Sequence, residues 1–559
     1  MKQLEAHEMP LDKVFCSDYE FHIPTYQRPY AWEVEQAEQL LSDLVEALDS
    51  GSDEPYFLGS IVLVKEPSHS VADVIDGQQR LTTLTILLAV LRDLTDDPGL
   101  RTELDAAVCE PGKISKGLPA KPRLTLRSKD ADFFRNYVQT QGAVSALLEL
   151  SAAGLKTDAQ KAVRSNAEAL HKELSSWTAH RRLELVRMLI MRTYLVVVST
   201  PDLDSAHRIF SVMNARGLDL SPADIFKSLI IGDLGDSAAE DAAAAKWEDA
   251  EEALGRDDFA DLFLHLRMIY AKERAKAELL KEFPKQVLNT RFLPGKAQLF
   301  VNDVLVPYAD AYAQIRDHDY RAETGAERVN AWFRRLVQID NNDWRPSALW
   351  ALRNHGPDAE WLDRFLQALE RLAASMFIRR VYTTPRVQRY AELLRELDAG
   401  QGLTSPSLQL TEQERAATRE RIAGPLYLDV RTRKYILLRL DEVLANSSGV
   451  AYTHPLITVE HVLPQTPKPD SQWQADFTDE QRQFWTNRIG NLVLLNRYKN
   501  SEARNYDFAT KKVRYFTGKL GVVNFALTAQ VVGSDSWTPA TLDARQSLLV
   551  NSLCDTWQL

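Results

Sequence analysis

The sequence predicts an α+β fold that is predominantly helical, and three observations carry that prediction. Runs rich in β-branched residues alternate with amphipathic helices in the N-terminal part, residues 240 to 445 carry almost only helical patterning, and the last hundred residues return to a strand, loop, strand, helix order. At 559 residues the chain exceeds what one hydrophobic core supports, so several domains are expected.

From Gln36 the apolar residues Ala37, Leu40, Leu41, Leu44, Val45 and Leu48 recur at helical spacing and form one buried stripe. Tyr56 to Val64 (YFLGSIVLV) and Val71 to Ile75 (VADVI) read as short strands, and Leu81 onward returns to helix. Tyr194 to Val198 is a further strand, followed by a helix that closes near Gly217. Ser221, Pro222 and Asp224 then restart a helix with N-cap, first-turn proline and early acid in order. Turn-rich joints fall at Gly400 to Ser407 and Asn446 to Pro455. The expected division is residues 1–235 as an α/β domain, 236–445 as a helical connecting domain, and 446–559 as a separate C-terminal domain.

Composition bounds the function. Hydrophobic residues at 45% and charged residues at 26% describe globular protein, and a net charge of −11 confines any nucleic-acid contact to a local basic patch. Cys16, Cys109 and Cys554 are too far apart for a C-x-x-C pair, so neither a disulfide framework nor a cysteine zinc site is supported and a reducing cytoplasm is expected. The apolar run Leu81 to Leu91 is too short to cross a bilayer, and the N-terminal stretch has no apolar signal region, so neither a membrane span nor secretion is expected.

The C-terminal part concentrates chemistry. ITVEHVL (Ile457 to Leu463) presents Glu460 and His461 next to each other near a strand end set by Pro464; a polar loop with Trp473 and Trp485 follows. Then comes RIGNLVLLNRYKN (Arg488 to Asn500), with Asn491 before a second strand and Asn500 after it, and a helix containing Arg504, Lys511 and Lys512. A neutral imidazole can take a proton from water near neutral pH, while oxygen donors suit a hard cation beside a phosphate. Between Arg488 and Lys519 the basic residues Arg488, Arg497, Lys499, Arg504, Lys511, Lys512, Arg514 and Lys519 oppose only Glu502 and Asp507, which reads as a phosphate-facing patch.

This layout resembles the ββα-metal, or HNH, nucleases over about the last hundred residues. The resemblance implies Glu460 and Asn500 as ligands of Mg2+ or Mn2+, His461 as general base, and Asn491 as the residue that orients the metal loop. Asn500 in place of a final histidine makes zinc the less suitable ion. Lys499, Arg504, Lys511 and Lys512 become candidate DNA contacts. The structural alternative is a satisfied buried histidine beside a solvated basic face.

A second constellation lies in VIDGQQRLTTL, where Asp76, Gly77, Gln78, Gln79 and Arg80 join a strand to a helix. Gly77 permits a tight turn, free N–H groups at the helix start attract anions, and Arg80 adds a fork of donors. Upstream, IPTYQRPYAW supplies Gln27, Arg28, Tyr30 and Trp32, with Tyr30 and Trp32 as candidate platforms for a base. Together with FSVMNARGLDLSPADIFK (Phe210 to Lys227) and EHVLPQ, these strings resemble the GmrSD and SspE restriction systems, whose N-terminal domain has a ParB-like fold. The resemblance implies a nucleoside triphosphate (GTP or ATP) held by Asp76, Gly77, Gln78, Gln79 and Arg80, with Arg28, Asn214, Arg216 and Lys227 as further candidates. No Walker A lysine motif is present. The structural alternatives are a common D-G turn, a helix cap at Asn214 to Gly217, and core roles for Tyr30 and Trp32.

The combined expectation is a nucleotide-regulated endonuclease and nucleoside triphosphatase that cuts modified phage DNA by metal-dependent phosphodiester hydrolysis. A modification-independent DNA-nicking nuclease and a nucleotide-regulated sensor with an inactive HNH site are the alternatives. The subunit number is left open, a homo-oligomer included.

Overall fold

The computed structural model describes the chain apart from residues 1–4, 51–53, 113–114, 116, 118, 152–153, 203–204, 207–208, 210–221, 236, 446–456, 497–504 and 517–524. Two compact units form: residues 1–248 with 293–298, and residues 249–292 with 299–559. With 64% of the chain helical beside a small mixed sheet, the class is α+β.

The first unit is built on a six-stranded sheet. Its strands are β1 (Glu5–Pro10), β2 (Glu20–His22), β3 (Tyr56–Val64), β4 (Val71–Asp76), β5 (Leu124–Thr125) and β6 (Thr193–Thr200). Their spatial order is β1-β6-β3-β4-β2-β5. β3 runs parallel to β6, its neighbour in space but distant in sequence, and antiparallel to β4, its neighbour in both. The helix predicted from Gln36 spans Val34–Asp49, started by a reciprocal capping box between Glu33 and Gln36, and it buries Ala37, Leu40, Leu41 and Leu44.

β4 ends in a sharp turn at Gly77, and helix Gln78–Asp93 begins immediately. Gly77 has φ +93°, and a Cβ there would lie 2.4 Å from Ile61 Cγ2. The apolar run Leu81 to Leu91 is the centre of this helix, buried on all sides. The hydroxyls of Thr82, Thr83 and Thr85 donate to the carbonyls of Gln78, Gln79 and Leu81, so threonines enter the core without an unmet polar group. Among the described residues no helix is long and apolar enough to cross a membrane. Helix Pro222–Gly232 has the predicted proline at its start; Ser221 and the predicted helix end at Gly217 lie outside the described residues.

In the second unit, no strand occurs among the described residues from 249 to 445. The predicted joint at Gly400 to Ser407 forms two short 3-10 turns, Gly402–Thr404 and Pro406–Leu408. Glu396 binds both the N–H and the hydroxyl of Ser407, holding this joint inside the helical unit. The helical segment from 249 to 292 and from 299 to 445 falls in one compact unit with the C-terminal strands.

Those strands, β7 (Ile457–His461) and β8 (Leu492–Asn496), pair antiparallel with Glu460 opposite Val493 and His461 opposite Leu492. The polar loop expected between them instead holds helices Gln472–Asp476 and Asp479–Trp485. Thr478 and Gln481 form a capping box, a start signal the sequence reading passed over. Trp473 and Trp485 pack with Val462, Leu463, Phe477, Val493, Trp537 and Leu542 in a small core. Helix Phe508–Phe516 contains Lys511 and Lys512 but not Arg504, which lies outside the described residues.

Replacing Gly77 with alanine should lower stability by roughly 2 kcal/mol or more, because a left-handed residue and a steric overlap are both involved. Thermal unfolding of G77A against the parent measures it; an unchanged midpoint contradicts the packing described.

Candidate functional site

His461 ends β7 and is 5% exposed. Its Nε2 lies 3.3 Å from Asn487 Oδ1, and its ring packs on Tyr427 with centroids 4.0 Å apart and planes at 56°. With the amide oxygen as acceptor, Nε2 carries the proton and Nδ1 keeps the lone pair. Tyr427 is itself held: its N–H donates to the Asn487 carbonyl at 2.9 Å, Arg433 stacks on its ring at 4.3 Å, and Arg433 Nη1 donates to its carbonyl at 2.8 Å. Burial pushes the imidazole pKa down to about 4, against the hydrogen bond to Asn487 and with the positive charges of Lys511 and Arg433. The ring is therefore neutral near pH 7. Asn487, Tyr427 and Arg433 escaped the sequence reading because they lie far from the E-H pair in sequence; Tyr427 and Arg433 even precede the expected C-terminal domain.

The neighbouring Glu460 carboxylate lies 3.1 Å from Lys511 Nζ, which also donates to the His461 carbonyl at 2.6 Å. Lys511 is fully buried. Its assignment as a DNA contact is thus corrected: an ammonium removed from water needs a counter-ion, and Glu460 provides it. Lys512 donates to the Ser534 carbonyl at 2.6 Å and lies over the Phe508 ring, so it too is engaged with the protein. Asn500, Lys499 and Arg504 lie outside the described residues.

Asn491 is completely buried. Its Nδ2 donates to the carbonyls of Leu463 and Thr486, both at 2.9 Å, and its Oδ1 accepts from the Leu463 N–H at 2.7 Å and from Trp537 Nε1 at 3.2 Å. Every donor and acceptor of the amide is used inside the protein. What it orients is the chain just after β7; it does not meet solvent.

In the first unit, D-G-Q-Q-R divides between architecture and site. Gln78 Nε2 donates to the Arg28 carbonyl at 2.5 Å. Gln79 Oε1 accepts from the N–H groups of Ala31 and Trp32 at 2.8 and 3.1 Å, and its Nε2 donates to the Pro29 carbonyl at 3.1 Å. These amides strap the segment 28–32 to the helix start. Tyr30 is corrected as well: it is buried, and its hydroxyl bonds Thr83 at 2.8 Å and accepts from Asn166 at 2.6 Å. Trp32 packs half-buried against the same core, with its carbonyl bonded by Asn166.

Among the described residues, Asp76, Arg80 and Arg28, with Asp224 beside Arg28, are charged groups around this turn. Burial raises the Asp76 pKa although the Gly77 N–H and the charges of Arg80 and Arg28 favour its anion. Arg80 Nη1 donates to the Ser60 carbonyl at 2.8 Å, and Arg28 Nε lies 3.9 Å from Asp224. Lys227, one turn along from Asp224, is buried and pairs with Glu248 at 3.0 Å. Burial opposes ionisation of Glu248, but Lys227, then Arg127 and Lys129, hold its pKa below the usual carboxylate range. Lys227 is therefore committed to an internal ion cluster rather than presented to a ligand. Asn214 and Arg216 lie outside the described residues.

Two stability measurements follow from these environments. The unfolded chain protonates His461 near pH 6.5 and the folded chain only near pH 4, so the unfolded state holds more protons between those values and stability rises with pH across them. Urea unfolding of His461→Gln and the parent should show the parent gaining on the variant by about 1–2 kcal/mol from pH 5 to 7, at roughly 1.4 kcal/mol per pKa unit. A constant difference would refute the buried neutral imidazole. For Asp76 the folded pKa is raised, so its ionisation costs stability as pH rises; Asp76→Asn should melt no lower than the parent at pH 7.5.

Comparison with known proteins agrees at both ends of the chain. Residues 11–231 match the family model described as GmrSD restriction endonuclease, N-terminal domain, and residues 412–552 match that described as GmrSD restriction endonucleases, C-terminal domain. The second match begins upstream of Tyr427 and Arg433, so it includes the side chains that pack around His461. No curated protein matches the chain. With the two halves of one restriction enzyme in order along it, the chain belongs to the GmrSD restriction endonuclease family, whose members act on DNA.

Proposed function

We propose that this endonuclease hydrolyses the backbone of modified phage DNA at His461, under the control of a nucleoside triphosphate, GTP or ATP, bound beside Asp76, Arg80 and Arg28. The observation that carries the reading is the neutral imidazole at the end of β7, with Nε2 tied to Asn487 and Nδ1 left as a base. Water approaching a DNA phosphorus would surrender its proton to Nδ1.

A metal has to fit the donors present. Among the described residues no three His, Cys, Asp or Glu side chains gather for an ion. An open shell suits Glu460, which would supply one hard oxygen while water and phosphate oxygens supplied others, as Mg2+ or Mn2+ accepts. Asn500 is the second proposed ligand. When bound, the ion would stabilise charge on the reacting phosphate. Lys511 would then keep Glu460 anionic and anchored from behind.

In the first unit, the guanidinium groups of Arg28 and Arg80 flank the start of helix Gln78–Asp93 and offer forked donors to phosphate oxygens. Asp76 is the carboxylate available beside them, and its raised pKa suits a group that handles a proton or a nucleotide-bound cation.

Cleavage of plain, glucosylated hydroxymethylcytosine and phosphorothioate DNA, each with and without GTP or ATP, tests the substrate and the regulation. Modified DNA should be cut preferentially and in a nucleotide-dependent way. His461→Ala should abolish cutting with the fold intact, and Arg80→Ala should lose labelled nucleotide; undiminished cutting or binding defeats the respective role. Asn487→Ala and Tyr427→Ala should lower kcat by about 10²-fold while KM holds, since a misaligned base forfeits much of general-base catalysis, and Tyr427→Phe should retain activity because only its ring meets His461. One observation favours a second reading, a DNA sensor with a dormant site: the Lys511 ammonium already neutralises Glu460. DNA retention without cutting in either Mg2+ or Mn2+ would mark that case.

A further inference from the structure

A polar cavity of about 850 Å³ opens in the second unit beside the residues that hold His461. Its wall runs through the turn Gly424 to Leu428, which contains Tyr427, and through Arg488, the residue after Asn487. Tyr427 and Asn487, which hold His461, thus adjoin the cavity wall along the chain. Its volume falls within the range of roughly 300–1,000 Å³ typical of ligand sites.

The lining is basic, and one of its arginines, Arg488, rests on an aromatic ring that lies outside it. Arg380, Arg421 and Arg488 line it, against the acids Glu420 and Asp429. Arg380 is half exposed and pairs with Asp429 at 2.8 Å, an arrangement of small net strength that a phosphate can replace. Arg421 is exposed and has no ion-pair or hydrogen-bond partner among the described residues. Arg488 lies 3.9 Å from the centre of the Phe484 ring and is fixed there by donating to the carbonyls of Phe484 and Ala423. Phe484 is 51% exposed, and its ring meets the buried Trp485 edge-on with centroids 4.8 Å apart. An ordered guanidinium on an exposed ring, next to free positive charge in an open polar cavity, is the combination that binds an unstacked base and its phosphate.

We propose that this cavity holds a nucleotide of the DNA strand adjoining the scissile phosphate, its phosphodiester on Arg421 and Arg380 and its unstacked base on the Arg488 guanidinium that Phe484 backs. The inference rests on the nuclease reading of His461 and adds to it a substrate-strand site built by the helical part of the unit. It gives the helices around Arg380 and Arg421 a direct part in DNA binding.

The test uses the full-length His461→Ala protein and a short synthetic duplex, with one version carrying an unpaired nucleotide beside the expected cut. Arg421→Glu should weaken binding about tenfold at low salt and reduce the slope of log affinity against log salt by about one. Phe484→Ala should weaken binding to the duplex with the unpaired nucleotide more than to the fully paired one. In the active protein both variants should raise KM and leave kcat near the parent value. Arg364→Glu, a charge reversal at an exposed residue outside the cavity, should change neither affinity nor slope. Parent-like affinity and slope in both cavity variants, or an equal loss in Arg364→Glu, overturns the cavity assignment and leaves the His461 reading standing. If the unmodified duplex and its glucosylated form both fail to bind the parent, the nuclease reading falls and the cavity assignment with it.

Discussion

A lysine ammonium with no exposure to water must be paired, and the position of Lys511 fixes much of the second unit's chemistry. Its Nζ meets both the Glu460 carboxylate and the His461 carbonyl, so helix Phe508–Phe516 is drawn onto the last two residues of β7. Breaking such a buried pair by removing one partner leaves the other charge stranded, at a cost of about 3–5 kcal/mol. The same contact sets the electrostatics of the site. It gives Glu460 a positive partner, adds a positive charge near the imidazole, and together with burial keeps His461 neutral.

Around this pair the fold supplies alignment from three directions. Asn491 fixes the chain after β7 through backbone groups of Leu463 and Thr486. Asn487 fixes the ring nitrogen, and Tyr427 with Arg433 covers the ring face. Two of these supports lie on the short β-hairpin segment, but Tyr427 and Arg433 belong to the preceding helical sequence. A nuclease core excised at residue 446 would therefore lack the wall against which its proposed base is set. That dependence agrees with the family match, which starts at residue 412.

The first unit shows a comparable division of labour within one motif. In D-G-Q-Q-R the glycine is required by the turn, and the glutamines close backbone hydrogen bonds to residues 28–32. The strap they form brings Arg28 to the same turn as Asp76 and Arg80, and the helix from Pro222 adds Asp224. The charged residues stand at the two ends of the five positions and the architectural ones between them, because the helix start turns successive side chains toward different neighbours.

Local pattern by itself determined the secondary structure that rests on periodicity: β3, β4, the helices at Val34 and Gln78, the helical segment from 249 to 445, and the hairpin carrying Glu460 and His461. It also marked His461 and Asp76, because E-H before a G-N-L turn and D-G before a helix are short-range arrangements. Tertiary structure decided which polar residues face inward. Lys511, Gln78, Gln79 and Tyr30 read as ligand contacts in the sequence, yet each is satisfied by a partner brought in by the fold, with separations of about fifty residues or more. The residues packed around His461 were invisible for the same reason. Periodicity reports which face of an element is apolar, whereas the partner of a buried charge or amide is set only when distant segments meet and water is excluded.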